Sequence, residues 1–236
     1  MSDPFGRAIR DFHRDEQDEP LRQIDGEEVL EHPIERFYFD DRDPEDERTR
    51  WLESRLSGPL LDLGAGAGRD VLYFQERFET VGLEVSEHLV ETMRERGVER
   101  AVRGDMFDLP ATFDRDRFAS VLAHGTQLGL ARPDHRLREF LADLAFVTTD
   151  DATAVLDNYN PDAETAQNLL GFREDPEPGM GYRVMHFEYE GDRGETLLFR
   201  PFTPGVLRDA CVGTGWDLAE VEFSNEHHYH AVLEKR

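Results

Sequence analysis

The sequence predicts a doubly wound α/β fold, in which a parallel sheet is covered by helices on both faces. Short apolar runs at residues 59–63, 80–85, 101–103, 118–123 and 153–156 alternate with amphipathic stretches of helical period. Strands joined through helices pair in parallel and bury both faces. The first of these strands also ends in a glycine-rich turn that opens a helix, the place where such sheets bind ligands beyond their strand ends.

Taken in order, residues 3–16 read as a helix: Asp3 caps it, Pro4 suits its first position, and Phe5, Ala8, Ile9 and Phe12 form one apolar stripe. Residues 17–42 are charged and irregular, with Asp25-Gly26 turning a short hairpin between 21–24 and 28–31. A second helix takes Asp43 as cap and Pro44 after it, turns Trp51, Leu52 and Leu56 inward, and stops at Gly58. The strand at 59–63 leads through the glycines into a helix over 69–78, with Val71, Phe74 and Phe78 on one side. After the strand at 80–85, Ser86 caps a helix that turns Leu89, Val90 and Met93 inward and ends at Gly97. From about residue 133 to 147, Leu137, Phe140, Leu141, Leu144 and Ala145 recur at helical spacing.

The last third changes pattern. Segments 182–190 and 195–200 flank Gly191-Asp192-Arg193-Gly194 as an antiparallel hairpin, within a substrate-side insert over 161–202. Thr203 then caps a helix with Val206, Leu207, Ala210 and Cys211 inward, and 216–223 and 228–233 finish as two strands. Residues 1–43 are thus expected as an N-terminal helix and irregular segment, and 44–236 as the main domain.

Composition narrows the function. The chain has 52 acidic against 27 basic residues among 236, a formal net charge of −25, and one lysine, Lys235. So acidic a chain lacks the basic footprint that nucleic acid or an anionic membrane requires. With 10% aromatic residues and clear periodicity it is not a disordered acidic chain. Acidity with arginine in place of lysine is read as adaptation to a high-salt cytoplasm, where salt screens self-repulsion. No apolar run approaches the ~20 residues of a membrane span, and the polar N-terminus has no signal-peptide core, so a cytoplasmic location is expected. A single Cys211 excludes an internal disulfide framework and a multi-thiolate zinc site.

The most informative stretch is Leu61-Asp62-Leu63-Gly64-Ala65-Gly66-Ala67-Gly68, followed by Arg69. Its glycine spacing departs from the dinucleotide pattern G-x-G-x-x-G, which disfavours a nicotinamide-dependent oxidoreductase. Glu84, 20 residues after Gly64, ends the second strand beside Val85, where a carboxylate can accept ribose hydroxyls. Asp105 and Met106 end the third strand, placed to meet an adenine amino group and ring. Together these describe a slot for an adenosine.

On these residues the chain resembles class I S-adenosylmethionine-dependent methyltransferases of the small-molecule kind, over about residues 44–160. The family's acidic-x-Gly-x-Gly-x-Gly motif matches Asp62, Gly64, Gly66 and Gly68; its ribose acid matches Glu84, and its adenine-contacting acid matches Asp105. The resemblance implies a Rossmann-like, seven-stranded, mostly parallel sheet with an antiparallel last strand. It implies S-adenosylmethionine as cofactor, in-line transfer of a methyl group to N, O or C, and a backbone carbonyl near His124 holding the cofactor's amino group. Relatives of this kind place leading helices across the site, so residues 3–16 are expected as a lid, the alternative being a helix packed on the sheet's flank. The Asn/Asp-Pro-Pro-aromatic signature of nucleic-acid amino methyltransferases is replaced by Ala123-His124-Gly125-Thr126. A small molecule is therefore the expected acceptor, with a protein second, and the chain is expected as a monomer or dimer. A non-catalytic module that binds S-adenosylmethionine or its demethylated product is the competing class.

Beyond the motif, His124 is the candidate general base, although alignment alone can drive methyl transfer. Arg183 and Arg200, on the arms of the hairpin, are candidates to clamp an acceptor carboxylate. His228 and His230 share a strand face, but no acid or thiol lies at a recognisable ligand spacing, so no metal site is expected.

Overall fold

The computed structural model describes residues 2–125, 127–130 and 137–236. In chain order, α1 (Pro4–His13) precedes β1 (Arg22–Asp25), β2 (Glu28–Glu31), a π-helical turn over Glu35–Phe39, and α2 (Glu47–Glu53). The alternation then runs β3 (Leu60–Leu63), α3 (Arg69–Gln75), β4 (Thr80–Glu84), α4 (Glu87–Glu95), β5 (Ala101–Arg103), β6 (Phe118–Ala123), α5 (Leu137–Val147) and β7 (Thr148–Tyr159). Next come β8 (Phe172–Glu174), β9 (Gly181–Tyr189), β10 (Asp192–Arg193) and β11 (Leu197–Phe199). The chain closes with α6 (Pro204–Cys211), β12 (Trp216–Phe223) and β13 (His228–Lys235). Residues 133–136 of the expected fifth helix lie outside the described residues.

The central sheet has seven strands in the order β5-β4-β3-β6-β7-β13-β12. The first five pair in parallel, and β13 is antiparallel to both its neighbours. Successive strands step outward one way through β4 and β5 and the other way through β6 and β7, so the order reverses at β3. A crevice opens at such a reversal, and the glycine turn leaves β3 there.

Alternation along the strands divides the core between two faces. Leu61, Leu63, Val121 and Ala154 face α5 and α6, with Leu141, Leu144, Leu207 and Trp216 in the same cluster. Leu60, Leu122, Val155 and Val232 pack with Leu52 and Leu56 around α2 and with Phe74 of α3. The position of α2 is fixed across to β12: Trp51 Nε1 donates to Glu220 at 3.1 Å, and Arg55 pairs with the same carboxylate at 2.7 Å. Lys235 donates to the carbonyls of Ala145 and Thr148 at 2.7 and 2.6 Å, a cation where the end of α5 is electronegative.

A second, six-stranded sheet joins the two segments that the sequence kept apart. β1 pairs with β2 and with β9, and β8, β10 and β11 all pair with β9. Leu21, Met185, Phe187 and Tyr189 pack in one cluster with Ala8, Ile9 and Leu89. The pairing of β1 with β9 spans more than 150 residues, so no local pattern announces it. The hairpin turn also differs from expectation. Tyr189 pairs with Asp192 across Glu190 and Gly191, which sit at φ 49° and 73°, so those two residues form the turn, as a two-residue loop with both φ positive requires.

Two further differences have physical reasons. The first helix stops at His13 because Asp15 takes φ 56°. It packs on α4 and β9. β7 extends past Leu156 through polar Asp157 and Asn158, since β13 supplies pairing as far as Tyr159. Among the described residues, no helix is long and apolar enough to cross a membrane.

Candidate functional site

The glycine turn is built from backbone that other residues adopt poorly. Gly64, Gly66 and Gly68 lie at φ 64°, 57° and 82°, a region that costs an L-residue roughly 1–2 kcal/mol. A Cβ on Gly68 would stand 2.7 Å from Val98 Cγ2, and one on Gly66 would stand 3.2 Å from the Tyr38 ring. The turn therefore opens α3 and forms a cradle of glycine backbone beside the end of β4, in which the N–H groups of Ala65 and Gly68 bond Leu83 O and Ala65 O.

Glu84 closes that cradle. Its buried carboxylate accepts the N–H of Gly66 at 3.1 Å, of Val85 at 2.8 Å and of Ser86 at 3.0 Å. Burial pushes its pKa up, and the three N–H donors pull the other way without cancelling it. A carboxylate offers about four acceptor sites, so these bonds leave capacity for one further donor. Val85 is exposed, Asp105 is exposed and accepts the Phe107 N–H at 2.9 Å, and Met106 is buried in the core below.

Side chains from the N-terminal segment cover the turn. Tyr38 lies over Gly66, held by His32 Nε2 at 3.0 Å from its hydroxyl. Arg96 fixes the same region by donating to the carbonyls of Tyr38 and Ala67 at 2.9 and 2.7 Å. Gln127 stands against Gly64 from the other side. The leading helix reaches the site at its start, where Asp3 accepts the Ser86 hydroxyl at 2.5 Å. A concavity of about 440 Å³ lined by Phe12, Leu21, His32 and Ile34 lies beside this segment rather than at the glycine turn.

A polar layer runs across the sheet from Asp62. Asp70, on α3, pairs with Arg42 Nε and stands 3.0 Å from His124 Nδ1. Burial raises the Asp70 pKa, but Arg42 and His124 together hold it well below the usual carboxylate range. Asp62 is buried and faces Asp70, and both influences push it well above that range. On the α2 face, Leu122 pairs with Val155 and Val155 with Val232 in one apolar row. One step further, His124 follows the end of β6, Asp157 and His230 pair across β7 and β13, and β12 continues the row with Glu222.

Asp157 is 1% exposed, and its Oδ2 accepts from Gly125 N and from His228 Nε2, each at 3.0 Å. The rings of His228 and His230 lie 4.7 Å apart, and those of His124 and His230 lie 5.7 Å apart. The acidic partner of these histidines is thus Asp157, a residue without a motif, brought in by strand register. Arg42 and Tyr38 come from a stretch that reads as irregular, and only Asp70, just after Gly68-Arg69, carried a positional signal. Arg69 itself stands 3.4 Å from Asp70.

The two hairpin arginines are separated from this layer. Arg183 is buried and donates to Leu170 O and Gln23 Oε1, both at 2.8 Å. Arg200 pairs with Asp175 at 2.9 Å and lies over the Tyr182 ring.

Comparison with known proteins agrees with this fold. Residues 60–151 match the family model described as a methyltransferase domain. A structure of an S-adenosylmethionine-dependent methyltransferase from Bacteroides fragilis, in complex with S-adenosyl-L-homocysteine, aligns with TM-score 0.79 at 22% identity over 99% of this chain and 94% of that one. The CcbJ methyltransferase of Streptomyces caelestis aligns with TM-score 0.61 at 18% identity over 80% and 88%. The 1,6-didemethyltoxoflavin-N1-methyltransferase of Burkholderia thailandensis aligns with TM-score 0.51 at 19% identity over 75% and 70%. No curated protein sequence matches significantly. Residues 60–151 thus resemble a methyltransferase domain, and the chain as a whole shares its fold with solved S-adenosylmethionine-dependent methyltransferases.

Proposed function

We propose that this protein transfers the methyl group of S-adenosylmethionine to N, O or C of a small molecule. The observation that carries the reading is the Glu84 carboxylate bound to the N–H of Gly66, at the reversal point of the sheet. The residues fit the cofactor: three left-handed glycines form a turn with no side chains of its own at those positions, covered by Gln127 and Tyr38 at Gly64 and Gly66, and a buried acid with remaining acceptor capacity adjoins it. When bound, S-adenosylmethionine supplies an electrophilic sulfonium methyl that leaves by in-line displacement.

The chain's own groups bind and orient. Glu84 takes a ribose hydroxyl, Asp105 and Met106 stand for the adenine, and the Gly64–Gly68 backbone and Asp62 organise the methionine portion. His124 lies at the end of β6, beside the expected acceptor; its carbonyl holds the amino group, and its ring faces Asp70. Tyr38, Arg42 and α1 form the lid that keeps water out, a condition that strengthens electrostatic contacts inside. For acceptor contacts Arg200 is favoured over Arg183, because Arg200 keeps a buried Nε with no partner among the described residues. The charge of −25 supports a small molecule over nucleic acid.

The test is incubation with methyl-labelled S-adenosylmethionine and separate small-molecule, protein and RNA fractions, following label and S-adenosylhomocysteine. Label in the small-molecule fraction is expected. Label only in protein would change the acceptor class, and cofactor binding without any product would identify a binding module.

A further inference from the structure

We propose that His124, Asp157 and His230 bind a first-row divalent transition metal, Zn²⁺ in the simplest case, on the acceptor side of the site. One donor atom from each lies within 4.8 Å of the other two. Zn²⁺ bonds of ~2.0–2.1 Å in a tetrahedron hold donors about 3.4 Å apart. Side-chain shifts of roughly 1 Å therefore close the set. Register pairs Asp157 with His230 across β7 and β13, and His124 directly follows the end of neighbouring β6.

His230 is the residue that asks for a ligand. It is 4% exposed, and neither ring nitrogen has a hydrogen-bond partner among the described residues. A buried polar group left unpaired is rare and unfavourable, and a metal bond would satisfy it. Trp51 packs edge-on against His230 at 6.1 Å and shields that side from water.

The neighbours are arranged as outer supports of a metal site. His124 Nδ1–H can donate to Asp70 at 3.0 Å, which leaves Nε2 as the ligand atom, the carboxylate–histidine arrangement of many metal centres. Arg42 Nη2 lies 3.1 Å from the same Nδ1; that contact is the alternative for the other tautomer. Asp157 is oriented by the Gly125 N–H and by His228, whose Nδ1 accepts the Ser224 hydroxyl at 2.6 Å. Two imidazoles and one carboxylate suit Zn²⁺, Fe²⁺, Co²⁺ or Ni²⁺, whereas Mg²⁺ and Ca²⁺ prefer all-oxygen shells.

Three protein ligands leave a coordination position open, and the His124 side chain is 23% exposed, so the opening is on its side. Resting on the proposed methyl transfer, that position would take an acceptor hydroxyl. Coordination lowers the pKa of a bound hydroxyl; its proton leaves to solvent and the oxygen remains as the nucleophile. The acceptor class is then a small molecule with a metal-binding hydroxyl.

The test titrates chelator-treated, full-length protein with Co²⁺, following visible d–d absorption, and with Zn²⁺ by calorimetry, with S-adenosylmethionine binding measured separately. One equivalent of metal with intense low-coordinate Co²⁺ bands is expected. His230→Asn and His124→Ala should weaken binding more than 100-fold, and Asp70→Asn by 10–100-fold, the range for an outer support. X-ray absorption on the wild-type Zn²⁺ form, which needs no variant to fold, should show two imidazoles. No stoichiometric binding, or Co²⁺ bands unchanged in a folded His230→Asn protein, would overturn the site. Loss of metal binding with S-adenosylmethionine still bound would count against the metal alone, and the converse would count against the methyl-transfer reading alone.

Discussion

Replacing Glu84 by glutamine changes one atom and tests the cofactor assignment. In the wild type Oε1 accepts two N–H groups, from Val85 and Ser86, and Oε2 accepts one, from Gly66. The amide of glutamine can keep its carbonyl toward Val85 and Ser86, but its NH₂ then faces the Gly66 N–H, donor against donor. Leaving that buried N–H unpaired costs about 1–3 kcal/mol of stability. The loss on the ligand side is separate. Ribose hydroxyls that donate to a carboxylate would meet an NH₂, removing a charge-assisted bond worth about 1.5–3 kcal/mol, or ~10–150-fold in Kd. Calorimetric titration of both proteins with S-adenosylmethionine measures the second effect and thermal unfolding the first. A folded Glu84→Gln protein that binds within twofold of wild type would refute the ribose assignment.

Four further outcomes are expected. Gly68→Ala should lower stability by about 2–4 kcal/mol in denaturant unfolding, from left-handed backbone strain and overlap with Val98 and Met93; an unchanged midpoint would contradict the turn geometry. The melting temperature should rise with salt, since the Debye length falls from ~10 Å at 0.1 M to ~3 Å at 1 M and the net charge is −25; a flat profile would remove the high-salt reading. Removing residues 1–16 takes Ala8 and Ile9 from their cluster with Met185 and Tyr189; it should lower the melting temperature and speed cofactor release, and unchanged release and turnover would rule out the lid. Burial pushes the pKa of His32 to about 4 and of His230 to about 2, so below pH ~6.5 only the unfolded chain takes up these protons and stability is lost as pH falls. Asp62 and Glu84, raised in the fold, act with the opposite sign, so the check is that His230→Asn flattens the pH 6.5–4 slope relative to wild type, by about 1.4 kcal/mol per pH unit at most.

What the sequence reveals of this molecule follows the distance over which each feature is encoded. Gly64, Gly66, Gly68 and Glu84 are readable because one strand–turn–helix–strand unit places them together. The hydrophobic rows of β3, β4, β6 and β7 are readable for the same reason, each being local. The union of β1 with β9 is not, since it depends on Leu21 and Phe187 meeting in a shared cluster. The row His124–Asp157–His230 is also silent in the sequence. His230 sits 73 residues beyond Asp157, and only the antiparallel register of β13 sets them opposite one another. Polar residues at 157 and 158 moreover disguise the end of β7, because alternation ceases there while pairing continues. Arg42 and Tyr38 lie in a stretch with no regular period, and their places over Asp70 and Gly66 follow from tertiary packing alone.

The measurement that bears most directly on the methyltransferase assignment is a crystal structure of the full chain with S-adenosyl-L-homocysteine. The nucleoside is expected at the ends of β3 and β4, with a ribose hydroxyl within hydrogen-bond distance of the Glu84 carboxylate and the sulfur next to His124. Tyr38 and Gln127 should have moved off Gly66 and Gly64 to admit it. A ligand seated elsewhere, or at the glycine turn with no contact to Glu84, would contradict the account.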